Sequence, residues 1–107
     1  MLLVQIYVLC RKEGVRRDFI FCQQLTSSGL SVMSNIAEGF ERRSNKEFAH
    51  FLNIAIASCG EARSQIYAAW DLGYATEEEF QALQTLGNEV ARLTKALRTS
   101  VLREGPN

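Results

Sequence analysis

The sequence predicts an all-α protein, an antiparallel up-down-up-down four-helix bundle whose first helix is short. Three observations predict it. Apolar residues recur at spacings of three and four in separate segments, short polar turns divide those segments, and the single proline, Pro106, interrupts none of them. The 107 residues fit one domain, and 47% hydrophobic content suffices for one core. Helices are expected near residues 3–13, 19–40, 44–73 and 76–103.

The first segment carries Leu3, Ile6, Leu9 and Cys10 and ends toward Gly14. Its opening, MLLVQIYVLC, lacks the basic start of a signal peptide and is too short to span a bilayer, so it reads as a core helix with no membrane role. Met1 stands inside the pattern with no cap. Either the bundle has one stunted corner or the natural chain begins upstream.

The second segment steps through Phe19, Cys22, Thr26, Gly29, Met33, Ile36 and Phe40 behind Asp18, which is suited to an N-cap. Ser27, Ser28, Gly29 and Ser31 weaken its helix propensity and allow close approach, predicting a kink or tight crossing there. The third opens on a capping box, Ser44 with Glu47, and presents Phe48, Leu52, Ala55, Cys59, Ala62, Ile66 and Ala69 as one stripe. Gly73 supplies a left-handed cap at its end. Phe51, Ile54 and Ile56, with Tyr67 and Trp70, are apolar beyond what one inward face needs, and they form a candidate interface between copies of the chain.

The fourth segment opens on a second capping box, Thr76 with Glu79. It carries Phe80, Leu83, Leu86 or Gly87, Val90, Leu93, Leu97 and Val101 inward, then frays into Glu104-Gly105-Pro106. The acidic run Glu77-Glu78-Glu79 and the later Lys95, Arg98 and Arg103 match the helix dipole.

Cys10, Cys22 and Cys59 are odd in number and widely spaced, which excludes a metal knuckle and a closed disulfide framework and predicts a reduced, cytoplasmic setting. No cofactor or metal is expected. Net charge is zero but unevenly spread: residues 1–46 carry +3, 47–88 carry −5 and 89–107 carry +2. A neutral total argues against strong, sequence-independent nucleic-acid binding, which needs several phosphates neutralised at once. A local patch remains available in Arg42, Arg43 and Lys46, joined by Arg16 and Arg17; it reads either as a solvated corner or as a phosphate contact beside a helix start.

Ser34 and Asn35 read as polar side chains that fix packing by bonding the backbone or a neighbouring helix. Glu38 precedes Arg42 by four residues, the spacing of an exposed helical ion pair, and Gly39 is expected to allow the turn into the third helix. Arg43 and the only histidine, His50, spell R-x₆-H, the minimum for a metal-independent ribonuclease in which Arg holds a phosphate and His moves a proton. His50 falls at the outermost position of the helix register, and Cys59 lies on the core stripe as a small apolar filler. No Gly-rich phosphate loop, carboxylate-histidine set or nucleophile elbow occurs, so the expected protein is not an enzyme.

Residues RDF at 17–19, QQL at 23–25, SNIAEGF at 34–40, RRSNKEF at 42–48, FLNIA at 51–55, GEARSQIY at 60–67, and DLGY and EEEF within 71–80 carry a family resemblance. From about Ile6 to Val101 the chain resembles the four-helix bundle proteins typified by the 23S ribosomal RNA intervening-sequence protein, a family related to the accessory variability protein of diversity-generating retroelements. The resemblance implies a left-handed bundle, assembled as a ring-like homopentamer, without enzymatic activity. It also implies association with RNA or DNA and, for a retroelement-associated relative, a reverse transcriptase as partner. Two departures stand out. Met33 occupies the place of a usual proline, and Thr26 and Ser27 follow the Q-L pair where arginines are common, which removes two cations from a phosphate-facing surface. A plain protein-interaction scaffold is the third reading.

Overall fold

Backbone N–H groups at a helix start need acceptors, and here side chains supply them where the sequence places caps. Asp18 accepts from the Phe21 N–H and Ser44 from the Glu47 N–H. Thr76 and Glu79 complete a reciprocal box: Glu79 N–H donates to the Thr76 hydroxyl, and Thr76 N–H to the Glu79 carboxylate. The helices so started are α2 (Phe19–Phe40), α3 (Asn45–Asp71) and α4 (Glu77–Arg103); α1 (Leu2–Arg11) begins at Met1 with no side-chain cap. The computed structural model describes residues 1–103, so the fraying expected over Glu104-Gly105-Pro106 lies outside the described residues. No strand occurs among the described residues.

α3 ends in a Schellman motif. Gly73 takes φ +74°, its N–H donates to the Trp70 carbonyl, and the Tyr74 N–H reaches the Ala69 carbonyl. α1 ends earlier than its pattern suggests. Lys12 becomes extended, and its ammonium donates to the Tyr74 carbonyl at 2.9 Å and to Glu79 at 2.7 Å, while the following turn drives Val15 into the core.

Contacts between helices fix the order. Ser31 on α2 meets Ser58 on α3; Cys59 and Arg63 on α3 meet Gly87 and Gln84 on α4; Ile6 and Leu3 on α1 lie against Gly29 on α2. Gly39 against Phe48 continues the α2–α3 contact in the opposite sense from Ser31 with Ser58, and the α3–α4 contacts run oppositely from Cys59 with Gly87 to Arg63 with Gln84. Cys10 beside Cys22 with Leu3 beside Gly29 sets α1 against α2, which gives the antiparallel up-down-up-down bundle, 49 × 22 × 18 Å in extent. α1 touches α2 and α4 and spans only the half of the bundle that holds the start of α2 and the end of α3.

The α3 stripe is buried as expected at Leu52, Ala55, Cys59, Ala62, Ile66 and Ala69, with Phe48 half-buried. Two stripes are corrected. On α2 the inner face is Leu25, Ser28, Gly29, Val32 and Gly39, whereas Phe19, Met33 and Phe40 are exposed. Small residues bring the backbone in where Ile6, Leu3 and Phe48 need room, and the helix rotates its larger side chains outward. On α4, Ala91 and Thr94 are buried and Leu93 faces out, because the Thr94 hydroxyl bonds back to the Val90 carbonyl and so costs little to bury.

Gly39 is also corrected. It lies inside α2 rather than in the turn, and a Cβ there would stand 2.7 Å from Phe48 Cδ1, so the glycine serves close packing of α2 on α3.

Candidate nucleic-acid interface at the α2–α3 corner

The corner is made by residues 41–44. Glu41 caps α2 with its N–H on the Glu38 carbonyl, the Arg42 N–H reaches the Gly39 carbonyl, and Ser44 opens α3. Glu38 and Arg42 form the expected i,i+4 ion pair; Arg42 Nε also donates to the Glu38 carbonyl, and its guanidinium lies 4.8 Å above the Phe51 ring centroid. Arg42 is thus largely occupied.

Arg43 and Lys46 are exposed and form no ion pair among the described residues. The antiparallel register adds two cations from far along the chain. Arg98 on α4 donates to Asn53 Oδ1 at 2.8 Å, which holds its guanidinium with no carboxylate attached, and Arg103 follows five residues on. Asn53, Arg98, Thr99, Leu102 and Arg103 line an open concavity of about 510 Å³. Lys46, His50 and Asn53 follow at helical spacing on α3, and the antiparallel register puts Arg98 and Arg103 at the same end of the bundle as Arg43 and Lys46. Sequence reading missed Arg98 and Arg103 as site residues, having assigned them to the helix dipole. The signal was the antiparallel register itself, which puts the end of α4 beside the start of α3.

Arg16 and Arg17 do not join them. They lie in the turn before α2, one whole 22-residue helix from Arg42, or roughly 33 Å at 1.5 Å per residue. His50 is exposed, stacks edge-on against Phe51 at 5.5 Å and makes no hydrogen bond to Arg43.

The polar pair behind the corner is turned to packing. Asn35 Nδ2 donates to the Ser31 carbonyl at 2.8 Å and to Ser31 Oγ at 3.1 Å, and Ser31 Oγ lies 2.7 Å from Ser58 Oγ on α3. Ser34 Oγ donates weakly to the Ser31 carbonyl at 3.4 Å. A hydroxyl-amide chain therefore crosses from α2 to α3, and Ser31 and Ser58 are its unforeseen members.

The surplus apolar residues of α3 divide between its neighbours. Phe51 is half-buried beside Gly39 and Arg42, whereas Tyr67 and Trp70 each lay a ring against Phe80 of α4, at 5.1 and 5.2 Å between centroids, and remain exposed on their other side. Ile54 is exposed and Ile56 half-buried. The barest large side chains are instead Phe19 and Ile20 at the start of α2, 79% and 77% exposed, with Val4, Tyr7 and Val8 of α1 also exposed. Their exposure follows from the rotation of α2.

No three His, Cys, Asp or Glu side chains cluster to hold a metal among the described residues, and no described helix is long and apolar enough to cross a membrane.

No curated protein matches the sequence. A crystal structure of a Bacteroides thetaiotaomicron protein of unknown function from the S23 ribosomal protein family superposes with a TM-score of 0.81. It is 24% identical, covering 90% of this chain and 87% of that one, and shares the fold. The sequence model described as 23S rRNA-intervening sequence protein matches residues 1–96. With this match over nearly all of a four-helix chain, the protein belongs to the 23S rRNA-intervening sequence protein family.

Proposed function

We propose that this protein is a non-enzymatic, homo-oligomeric bundle that acts as a structural or RNA-associated accessory protein, its basic end contacting the phosphate backbone. The observation that carries the reading is the gathering of Arg43, Lys46, Arg98 and Arg103 at one end without ion-pair partners, Arg98 being held in place by Asn53. A guanidinium held by a neutral amide keeps its full charge for an anion. The family's description supports RNA as the anion.

Self-association is supported by the exposed Phe19 and Ile20 and the neighbouring apolar side chains of α1. The family resemblance sets the expected number at five. The reading places the protein in the cytoplasm, and a reverse transcriptase is a further partner where the chain accompanies a retroelement.

The test is retention of a structured RNA across a salt series. Each lost phosphate contact lowers the slope of log affinity against log salt by about 0.7–0.9. Arg98→Gln/Arg103→Gln is therefore expected to weaken retention and flatten that slope with the oligomer intact by light scattering. Arg16→Gln/Arg17→Gln is expected to change neither. Failure of the wild-type protein to retain RNA at any salt favours the plain scaffold. RNA cleavage in EDTA that is lost in His50→Ala favours the Arg43 and His50 ribonuclease.

A further inference from the structure

Cys10 is the penultimate residue of α1 and Cys22 the fourth of α2, and the tight turn between them folds the two helices together. The Cys22 thiol donates to the Val15 carbonyl at 3.6 Å and lies 3.9 Å from the Cys10 carbonyl, which sets the two cysteines side by side. Both are half-buried and line an open concavity of about 430 Å³ with Tyr7, Phe19 and Thr26, which admits small reagents from solvent. Cys59 differs in each respect. It is buried, donates to the Gly87 carbonyl and has no cysteine neighbour. We propose that Cys10 and Cys22 are a dithiol modification site, which a peroxide converts to an intramolecular disulfide tying α1 to α2.

The step balances with hydrogen peroxide as oxidant. Cys22 sulfur attacks one peroxide oxygen, so that an S–O bond forms, the O–O bond breaks and the leaving hydroxide takes the thiol proton as water. Cys10 sulfur then attacks the Cys22 sulfenic sulfur; the S–S bond forms, the S–O bond breaks and a second water leaves with the Cys10 proton. Two electrons pass from the two sulfurs to the peroxide. Burial, then the adjacent Cys22, pushes the Cys10 thiol up to about 12, so Cys10 is not the sulfur that attacks the peroxide, and it gives up its proton only in the second step, to the departing hydroxide. Disulfides in a reducing compartment are typically transient and redox-sensing, and this one would fasten the helix that touches only α2 and α4.

The experiment treats the whole folded protein with hydrogen peroxide, then counts free thiols and maps peptides without reductant. Free thiols are expected to fall from three to one, the intact mass to drop by two hydrogens, and a Cys10–Cys22 linked peptide to appear; dithiothreitol reverses all three changes. Cys59 stays reduced and is alkylated once the treated protein is denatured. Cys22→Ser leaves both remaining thiols unlinked, and its helical spectrum shows that the bundle is intact. The proposal is overturned if Cys10 and Cys22 oxidise independently, if the link joins separate copies of the chain, or if it forms faster in urea than in the folded protein.

Discussion

At the end where α1 packs, four helices enclose Ile6, Leu9, Leu25 and Ile66, none more than 2% exposed; toward the α2–α3 corner, three helices close over Leu52, Ala55 and Val101. The first end is also fastened by polar clips. Lys12 joins α1 to Glu79 and to the Tyr74 carbonyl, while the Tyr74 hydroxyl donates to Asp18 at 2.6 Å and its ring packs edge-on against Phe21. The second end spends its side chains differently. Its cations face solvent, and close helix contact there rests on glycine and serine. Large buried side chains and polar clips together hold the first end, whereas the second leaves Arg43, Lys46 and Arg103 exposed and without ion pairs among the described residues.

The largest expected effect tests that asymmetry. Ile66 and Leu52 are both fully buried, yet Ile66 lies in the cluster that all four helices build. Truncation leaves a cavity whose cost depends on how far the walls collapse, and three helices close in more readily than four. Ile66→Ala is expected to lower stability by about 2–5 kcal/mol, with Leu52→Ala toward the lower limit. Urea unfolding at fixed protein concentration measures both. Equal losses would break the comparison.

A smaller effect is expected at Gly39. Its missing Cβ makes room for the edge of the Phe48 ring at 2.7 Å and for Phe51 Cβ at 3.3 Å, so Gly39→Ala must displace an aromatic ring or separate α2 from α3. The expected loss is about 1–3 kcal/mol. Gly60 on α3 is the control, because a Cβ there meets nothing within 4 Å. Gly60→Ala is expected to stabilise by about 0.4–1 kcal/mol through the unfolded chain. If the two substitutions behave alike in thermal melts, close packing is not what Gly39 provides.

These glycines also show how far the sequence could be read. Caps and the inner stripe of α3 were legible because each rests on local chemistry: Ser44, Thr76, Asp18 and Gly73 act within a few residues of themselves. The inner face of α2 was not legible. Phe19 and Phe40 are the more hydrophobic choice, and only the partner side chains Ile6 and Phe48 reveal that glycine is the residue that must face inward. The site was half legible for the same reason. Arg43 and Lys46 are neighbours in sequence, whereas Arg98 joins them through a register set by the whole α3–α4 pair.

The smallest effect lies in the clips and is read against pH. Hydrogen bonding from the Tyr74 hydroxyl, then from the Phe21 N–H, holds Asp18 below its ordinary 3.8, and the Lys12 ammonium, then the Thr76 N–H, holds Glu79 below 4.5. For both groups the unfolded chain takes up protons at higher pH than the folded one, so their contribution is complete above the ordinary values and is lost as pH falls through the lowered ones. Tyr74 has the opposite sign: bonding to Asp18 raises it above 10.0, and the contribution of its proton is present below that pH and lost as pH rises through the raised value. The Lys12–Glu79 pair is partly exposed and contributes about 0.2–1 kcal/mol. Glu79→Gln and Tyr74→Phe are therefore expected to melt slightly below wild type at pH 7 and to lose less stability on acidification to pH 3. An acid shift equal to that of wild type in both variants would mean that the α1 end is held by its core alone, and the polar clips would drop out of the contrast between the two ends.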